Sequence, residues 1–554
     1  MPHSRTIHKS SLHSLAPGIL LALFSGFIVY YPLTNTDIWW HLASAREMIN
    51  RGGFLYQDPF SFTPREFPWL NIHWLFQLIV YGIHSTAGIK GLLVFRSSVF
   101  AISMLLLFYA FPSRKKPVFS ALLIGAIVFW MRYLVLVRPV IITLACLSFF
   151  IFCLEHFYAS KKYRYIFALV PVQIFWANCQ GLSVLGPVVL GAYWIGEAGV
   201  PVFLTKNKDG GRIHECCTTG VLFAAIALVS VINPYGIDGM LYPFRLLVRI
   251  DPVAGKLYAG NVSENMPLPD LVRQGSWYGL YAAGMLVLTA VLFVANRKRP
   301  RISHLVLFIS FAYLGYTAKR NILLFAFVCA PVIRNIFCQL FDAGATRIHR
   351  TIIFAASGVP AGLVIALHTA VLSVVPSESD MSPFRYPVDA VQYIQEHPVN
   401  GNIFNSVRYG GYLIWKLYPA KKVFIDGRLI IRTPEFYAEY LAILDNPHLF
   451  PRVAEKFGVT QVLVPTAIFE RYLKLFRFLY HNPRWRLVFT DGSSALFMRN
   501  EIAPTGGISL DSEKNRLTIR AMLKRKWRND PFVLQQAEAY FAELCRHAGR
   551  KPGE

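Results

Sequence analysis

Apolar runs of roughly 17 to 24 residues recur from Pro17 to Val375, and each is long enough to cross about 30 Å of hydrocarbon. A chain built this way has few options. In a bilayer every backbone polar group must be satisfied internally, so such runs fold as spanning helices packed on one another. Their positions predict spans near 16–34, 90–111, 117–137, 139–157, 163–181, 183–203, 216–233, 277–296, 302–317, 320–337 and 352–375. The composition agrees: 54% of the 554 residues are hydrophobic and only 16% charged, where soluble domains carry about a quarter charged. The first run, "APGILLALFSGFIVYYPLT", follows Arg5 and Lys9 and lacks a small-x-small cleavage site, which is the pattern of a signal-anchor.

The formal charge of +25 raises nucleic acid as a partner. The basic residues instead fall in short loops between apolar runs, where the positive-inside rule places them. One segment decides the topology: "WLFQLIVYGIHSTAG", residues 74–88. If it lies along the interface, fifteen basic residues share one side: Arg114-Lys115-Lys116, Lys161-Lys162-Arg164, Lys206/Lys208/Arg212, Arg297-Lys298-Arg299-Arg301 and Arg347/Arg350. If it spans, they move outside. The rule selects the interfacial reading, eleven spans and a cytoplasmic N-terminus. Residues 35–73, 131–139, 232–276, 317–321 and 376–554 are then external. The unusual polar sequence gathers on that face, whereas transport favours polar groups within spans. The eight cysteines show no metal spacing, and Cys216-Cys217 are adjacent.

Residues 376–505 read as an external α/β domain, separate from the membrane part at 1–375. "GNIFN", "KKVFIDG", "VTQVLVP", "WRLVFTD" and "SALFMR" are strand-like runs alternating with helical stretches, an arrangement that suggests βαβ units. Residues 506–554 form a charged tail with the pattern of a helical hairpin.

The chemistry-bearing residues sit at external span ends. In "NTDIWWHLASAREMINRGGFLYQDP", Asp37 falls where a carboxylate stays ionised beside a headgroup, and Trp39, Trp40 and Trp69 suit an interfacial aromatic belt. "TNTD" is also the signature of a helix cap, so Asp37 has two readings. Arg138 and Arg320 lie where a phosphate would rest, and snorkelling to phospholipid is the alternative for each. Asp426 and Arg428 in "VFIDGR" either stabilise a local turn or line a cleft. His41 and His73 have the chemistry of metal ligands, although a lone interfacial histidine is more often a hydrogen-bonding bystander.

An acid, aromatic residues, a helix, then glycine and a second acid after the first span resembles the first external loop of GT-C fold glycosyltransferases. The match is nearest to the catalytic subunit of oligosaccharyltransferases, through Asp37-Ile38-Trp39-Trp40-His41, "EMINRGG" and Asp58-Pro59. "GNVSENMP" is similar to that family's S-V-S-E motif and places Glu264 on its glutamate. "AKRNILLFAFVCAP" is similar to the stretch whose arginine meets the lipid-linked phosphate, which assigns Arg320. "YGGYLIW", containing Tyr409, matches part of the W-W-D-Y-G-Y segment.

The resemblance implies a GT-C-like membrane protein that transfers a sugar or glycan from a polyprenyl-phosphate-linked donor to an acceptor on the external face of the membrane. A bacterial inner membrane is the expected setting, because no eukaryotic retention signal ends the sequence. Asp37 and Glu264 would be catalytic and would hold a divalent cation such as Mg or Mn. Arg320, Arg138 and His41 would bind the donor, and Asp58, Tyr409, Asp426 and Arg428 would face the acceptor. Two departures stand out. Ser406-Val407-Arg408 replaces the W-W-D reader of Asn-x-Ser/Thr acceptors, and "VLVRP" replaces a D-x-D, leaving the metal set incomplete. A flippase of lipid-linked glycans and a non-catalytic scaffold are the rival functions.

Overall fold

The computed structural model describes residues 5–63, 69–111, 116–204, 210–248, 257–258, 260–296, 301–342, 380–467 and 470–549. It divides into two compact units. The first comprises Met1–Tyr31, Ile72–Ile79 and Ile83–Ser373, and the second comprises Pro32–Asn71, Val80–Gly82 and Val374–Glu554.

The first unit is helical. Five of its helices are long and apolar enough to cross a membrane: Trp74–Tyr109, Val140–Ser160, Gly181–Val202, Trp277–Ala295 and Lys319–Leu340. Four shorter apolar helices accompany them: Leu15–Ile28, Pro117–Phe129, Ile213–Val229 and Ile302–Thr317. The eleven spans expected from sequence are therefore not all full-length helices among the described residues. The last expected span, 352–375, lies outside them, as do Arg114-Lys115, Lys206/Lys208, Arg297–Arg299 and Arg347/Arg350 of the basic loops.

The expected span at 163–181 is broken. Leu169–Cys179 is an 11-residue helix, only about 16 Å long at 1.5 Å per residue. Gln180 ends it in extended backbone, with its own Oε1 accepting from the Gly181 amide. The deciding segment 74–88 is helical and is set off from the next helix at Gly88. There φ is +61°, a conformation that glycine adopts without a Cβ penalty.

A buried polar clasp joins three elements of this unit. Glu155 accepts from the Tyr193 hydroxyl at 2.7 Å, from Arg301 at 2.9 and 3.0 Å, and from His304 Nε2 at 3.0 Å. Arg301 also donates to Glu197 at 2.8 Å, within the π-helical turn Trp194–Gly199. Each acid has several donors, which is what makes burial of the charge tolerable.

The second unit carries a four-stranded sheet in the order β1–β2–β4–β3, formed by β1 (Asn402–Asn405), β2 (Val459–Pro465), β3 (Trp485–Thr490) and β4 (Ser494–Arg499). β1 and β2 pair in parallel across a helical crossover, while β2–β4 and β4–β3 are antiparallel, so one βαβ unit is realised among the described residues. The fifth strand expected at "KKVFIDG" is reduced to one residue, Val423, which makes isolated parallel bridges to Ile403 of β1 and to Ser61. The Asn405 side chain takes the place of a ladder there, accepting from the Phe424 amide and donating to the Ile425 carbonyl. On the other side Val423 donates to the Phe60 carbonyl, and the Phe62 amide donates back to the Val423 carbonyl. Residues 32–71, expected to belong with the membrane part, are thereby stitched into the second unit. The tail forms two helices, Glu513–Lys526 and Pro531–Ala548.

Candidate functional site

Two clusters, one in each unit, hold the residues nominated by sequence. In the second unit Asp37 is the N-cap of helix Ile38–Arg51. Its side chain makes no cap hydrogen bond, so the capping reading of "TNTD" fails at that residue. Its amide instead donates to Asn35 Oδ1 at 3.1 Å. The carboxylate lies against Gly427, where an added Cβ would collide with Oδ1. Gly411 similarly lets helix Val407–Leu417 close on the Thr36 carbonyl.

Beside Gly427 lies a buried ionic triad. Arg428 binds Asp426 through two parallel bonds of 2.8 and 2.7 Å and reaches Asp58 Oδ1 at 2.8 Å. The three residues are 2–3% exposed. The guanidinium also stacks 4.7 Å from the Trp69 ring and 5.1 Å from Phe60. Burial alone would raise the Asp58 carboxyl, but the Arg428 charge outweighs it and holds the group below its ordinary value. Arg428 is itself pushed up, burial being overcome by the two acids.

This arrangement bears out the local pairing of Asp426 with Arg428 and adds Asp58, which sequence spacing had no means to supply. Tyr409 is equally buried, its hydroxyl donating to the Ser493 carbonyl at 3.2 Å. His41 is interior too, with its ring against Trp40. The residues nominated for acceptor contact are thus packed under the surface, and Asp37 is the partly exposed member of the set.

In the first unit Arg138, Glu264 and Arg320 come together. Arg138 Nη1 donates to Glu264 Oε2 at 2.5 Å, with side chains 23% and 40% exposed. Burial raises the Glu264 carboxyl, yet Arg138, then Arg320 and Lys319, outweigh it and keep the group below its ordinary value. Arg320 makes no hydrogen bond or ion pair among the described residues, although it acts on Glu264 electrostatically. Sequence reasoning missed Lys319, whose amide donates to the Met266 carbonyl at 2.9 Å and whose ammonium lies 4.7 Å over the Tyr278 ring. Its place next to Arg320 in "AKRN" was the available signal. His73 is engaged elsewhere in the same unit. Its Nδ1 donates to the Cys179 carbonyl at 3.2 Å, and burial pushes its pKa down to about 4, so it stays neutral.

Neither cluster fits a divalent cation by itself. Hard cations take several oxygen ligands. Asp58 and Asp426 are committed to Arg428, Glu264 is committed to Arg138, and the described residues contain no group of three or more His, Cys, Asp or Glu able to hold a metal.

No protein-family model matches the sequence, and no curated protein matches it either. Solved structures do. The archaeal oligosaccharyltransferase AglB from Archaeoglobus fulgidus, in complex with an inhibitory peptide and a dolichol-phosphate, superposes with a TM-score of 0.58 at 13% identity, covering 93% of this chain and 78% of that one. The apo form of the A. fulgidus oligosaccharyltransferase gives a TM-score of 0.56 at 12% identity, over 82% and 69%. Its complex with Zn and sulfate gives 0.54 at 12%, over 98% and 84%. The fold is oligosaccharyltransferase-like along most of its length.

Proposed function

We propose that this chain is a membrane glycosyltransferase that moves a sugar or glycan from a polyprenyl-phosphate-linked donor to an acceptor at the external membrane face. The observation that carries the proposal is the meeting of Arg138, Glu264, Lys319 and Arg320, drawn from three distant parts of the sequence, with the Arg320 guanidinium making no hydrogen bond or ion pair among the described residues. A lipid-linked sugar keeps its tail in the bilayer and its phosphate at the interface. As the glycosidic bond breaks, its electron pair passes to the phosphate oxygen, and a planar guanidinium meets two such oxygens at once. Glu264 holds Arg138 in place, and Arg320 and Lys319 supply the remaining positive charge. The dolichol-phosphate bound to AglB is consistent with a donor of this class.

Asp37 is the carboxylate we assign to orient the acceptor and take its proton. Asp58, Asp426 and Arg428 serve it by fixing the loop that carries Gly427, while Tyr409 is held to the Ser493 carbonyl and His41 lies against Trp40. The proposed setting is a bacterial inner membrane with the N-terminus cytoplasmic, the external domain at 376–505 and the charged tail at 506–554. The residues at hand route no step through a metal.

Mass spectrometry of lipids that copurify with the wild type and with Arg320→Ala tests this reading. A polyprenyl-phosphate species retained by the wild type and depleted in the variant is expected. Ordinary phospholipid alone, identical in both, would return Arg320 to snorkelling and remove the donor site.

A further inference from the structure

Helix Glu513–Lys526 is too basic for the work its inner face requires. Residues 513–528 contain seven Lys or Arg and one acid, Glu513. Two of the cations serve the fold: Arg516 donates to the Asp511 carbonyl at 3.0 Å, and Lys526 to Asp389 at 2.5 Å. Ile519 and Leu523 are the buried positions. The opposite face carries Lys514, Leu517, Ala521, Lys524 and Arg525, at spacings of three, seven, ten and eleven residues, with Arg520 on its flank. Lys514, Arg520, Lys524, Arg525 and Arg528 are all exposed, and none makes an ion pair among the described residues. In the middle of these charges Leu517 is 58% exposed, and Phe532, just past the turn to the next helix, is 46% exposed.

We infer that this face docks on anionic lipid headgroups. A soluble polyanion would be met by the cations alone and would give an outward leucine nothing to do. An interface of anionic lipids takes both parts, phosphates against Lys and Arg and the acyl boundary against an isolated large apolar side chain. The chain also carries its own membrane helices, so the face is tethered to a bilayer and needs no high intrinsic affinity. Docking here is separate from donor binding, since none of these residues belongs to the Arg138–Glu264–Arg320 cluster.

The test uses the full chain in nanodiscs, with the photoreactive residue benzoylphenylalanine at Leu517. Discs of phosphatidylcholine alone are compared with discs that also contain phosphatidylglycerol. Irradiation is expected to give phosphatidylglycerol adducts that diminish with added salt. They should fall by roughly tenfold or more when Lys514, Arg520, Lys524 and Arg525 are changed to Ser, each cation near a charged surface being worth about fivefold in affinity. These positions are exposed, so the variant keeps its core, and an unchanged melting curve verifies that. No lipid adduct in either disc overturns the inference. So do equal adducts in both discs that ignore the four substitutions, which would mean simple apolar contact. Retention of soluble polyphosphate without any lipid adduct would assign the face to an anionic polymer and overturn it as well.

Discussion

Arg428 donates to Asp58 at 2.8 Å across 370 residues of sequence, while its other nitrogens hold Asp426 two residues away. The pair ties the loop after the first apolar run to the sheet of the second unit. It also sets the turn that presents Gly427 to Asp37. Arg428→Met would leave two buried carboxylates without their cation, and removing one member of a buried ion pair costs about 3–5 kcal/mol. Denaturant unfolding monitored in the second unit should show a loss of that size. Arg428→Lys should recover part of it, keeping the charge but losing the fork and the stacking on Trp69. A loss under about 1 kcal/mol for the Met variant would mean that the triad anchors nothing.

The same triad carries a pH signature. The Asp58 carboxyl sits below its ordinary value in the folded chain, so its contribution is present above the unfolded carboxyl range, near pH 4, and is lost as pH falls through the folded value. Melting temperature followed downward from pH 5 should therefore drop. In Asp58→Asn that drop should be shallower and start from a lower value. Parallel acid profiles in both proteins would detach the acid sensitivity from Asp58.

The membrane class was legible, and Arg138, Glu264 and Arg320 could each be singled out, because each leaves a local mark: a long apolar run, or a short motif at a span end. The triad was only half legible. Asp426 and Arg428 are neighbours in sequence, but nothing local in "YQDPF" says that Asp58 turns inward to meet them. The fifth strand misled for a related reason. "KKVFIDG" has strand composition, yet only Val423 bridges its neighbours, and the Asn405 side chain takes up the Phe424 amide and the Ile425 carbonyl that a longer ladder would use. The short helix Leu169–Cys179 escaped because hydropathy averages over the break at Gln180.

Glu155 offers a test inside the helical unit. It accepts from Tyr193, Arg301 and His304, so Glu155→Ala removes the shared acceptor of two buried donors and leaves the part-buried Arg301 guanidinium with Glu197 alone. Thermal unfolding in detergent should show a loss of about 3–5 kcal/mol. Glu155→Gln keeps an acceptor oxygen and should lose less. Equal melting of all three proteins would show the clasp to be dispensable.

Chelation separates an arginine-held donor phosphate from a metal-held one. Glu264 is engaged by Arg138, and the described residues hold no group of three or more His, Cys, Asp or Glu, so EDTA treatment during purification should leave the copurifying lipid unchanged. Glu264→Gln frees the Arg138 guanidinium and removes one negative charge beside Arg320. Retention of the lipid phosphate should then hold or rise. A lipid that EDTA strips away, or that Glu264→Gln abolishes, would favour a cation bridge at this carboxylate.

Gly427→Ala probes the Asp37 carboxylate without touching it. The added Cβ has no room against Oδ1, so either the loop or the carboxylate must shift, at about 1–3 kcal/mol for an overpacked site. The donor cluster is built from other residues, so lipid retention should be unaffected while transfer falls. Asp37→Asn keeps the shape of the side chain, removes the base and breaks no cap bond. It should lower turnover by about 10² to 10⁴-fold with a melting curve close to that of the wild type. The comparison that decides the matter is turnover in the two variants beside lipid retention in each. If both variants keep full transfer, Asp37 is not the acceptor carboxylate. If both lose the lipid together with transfer, the loop belongs to donor binding instead.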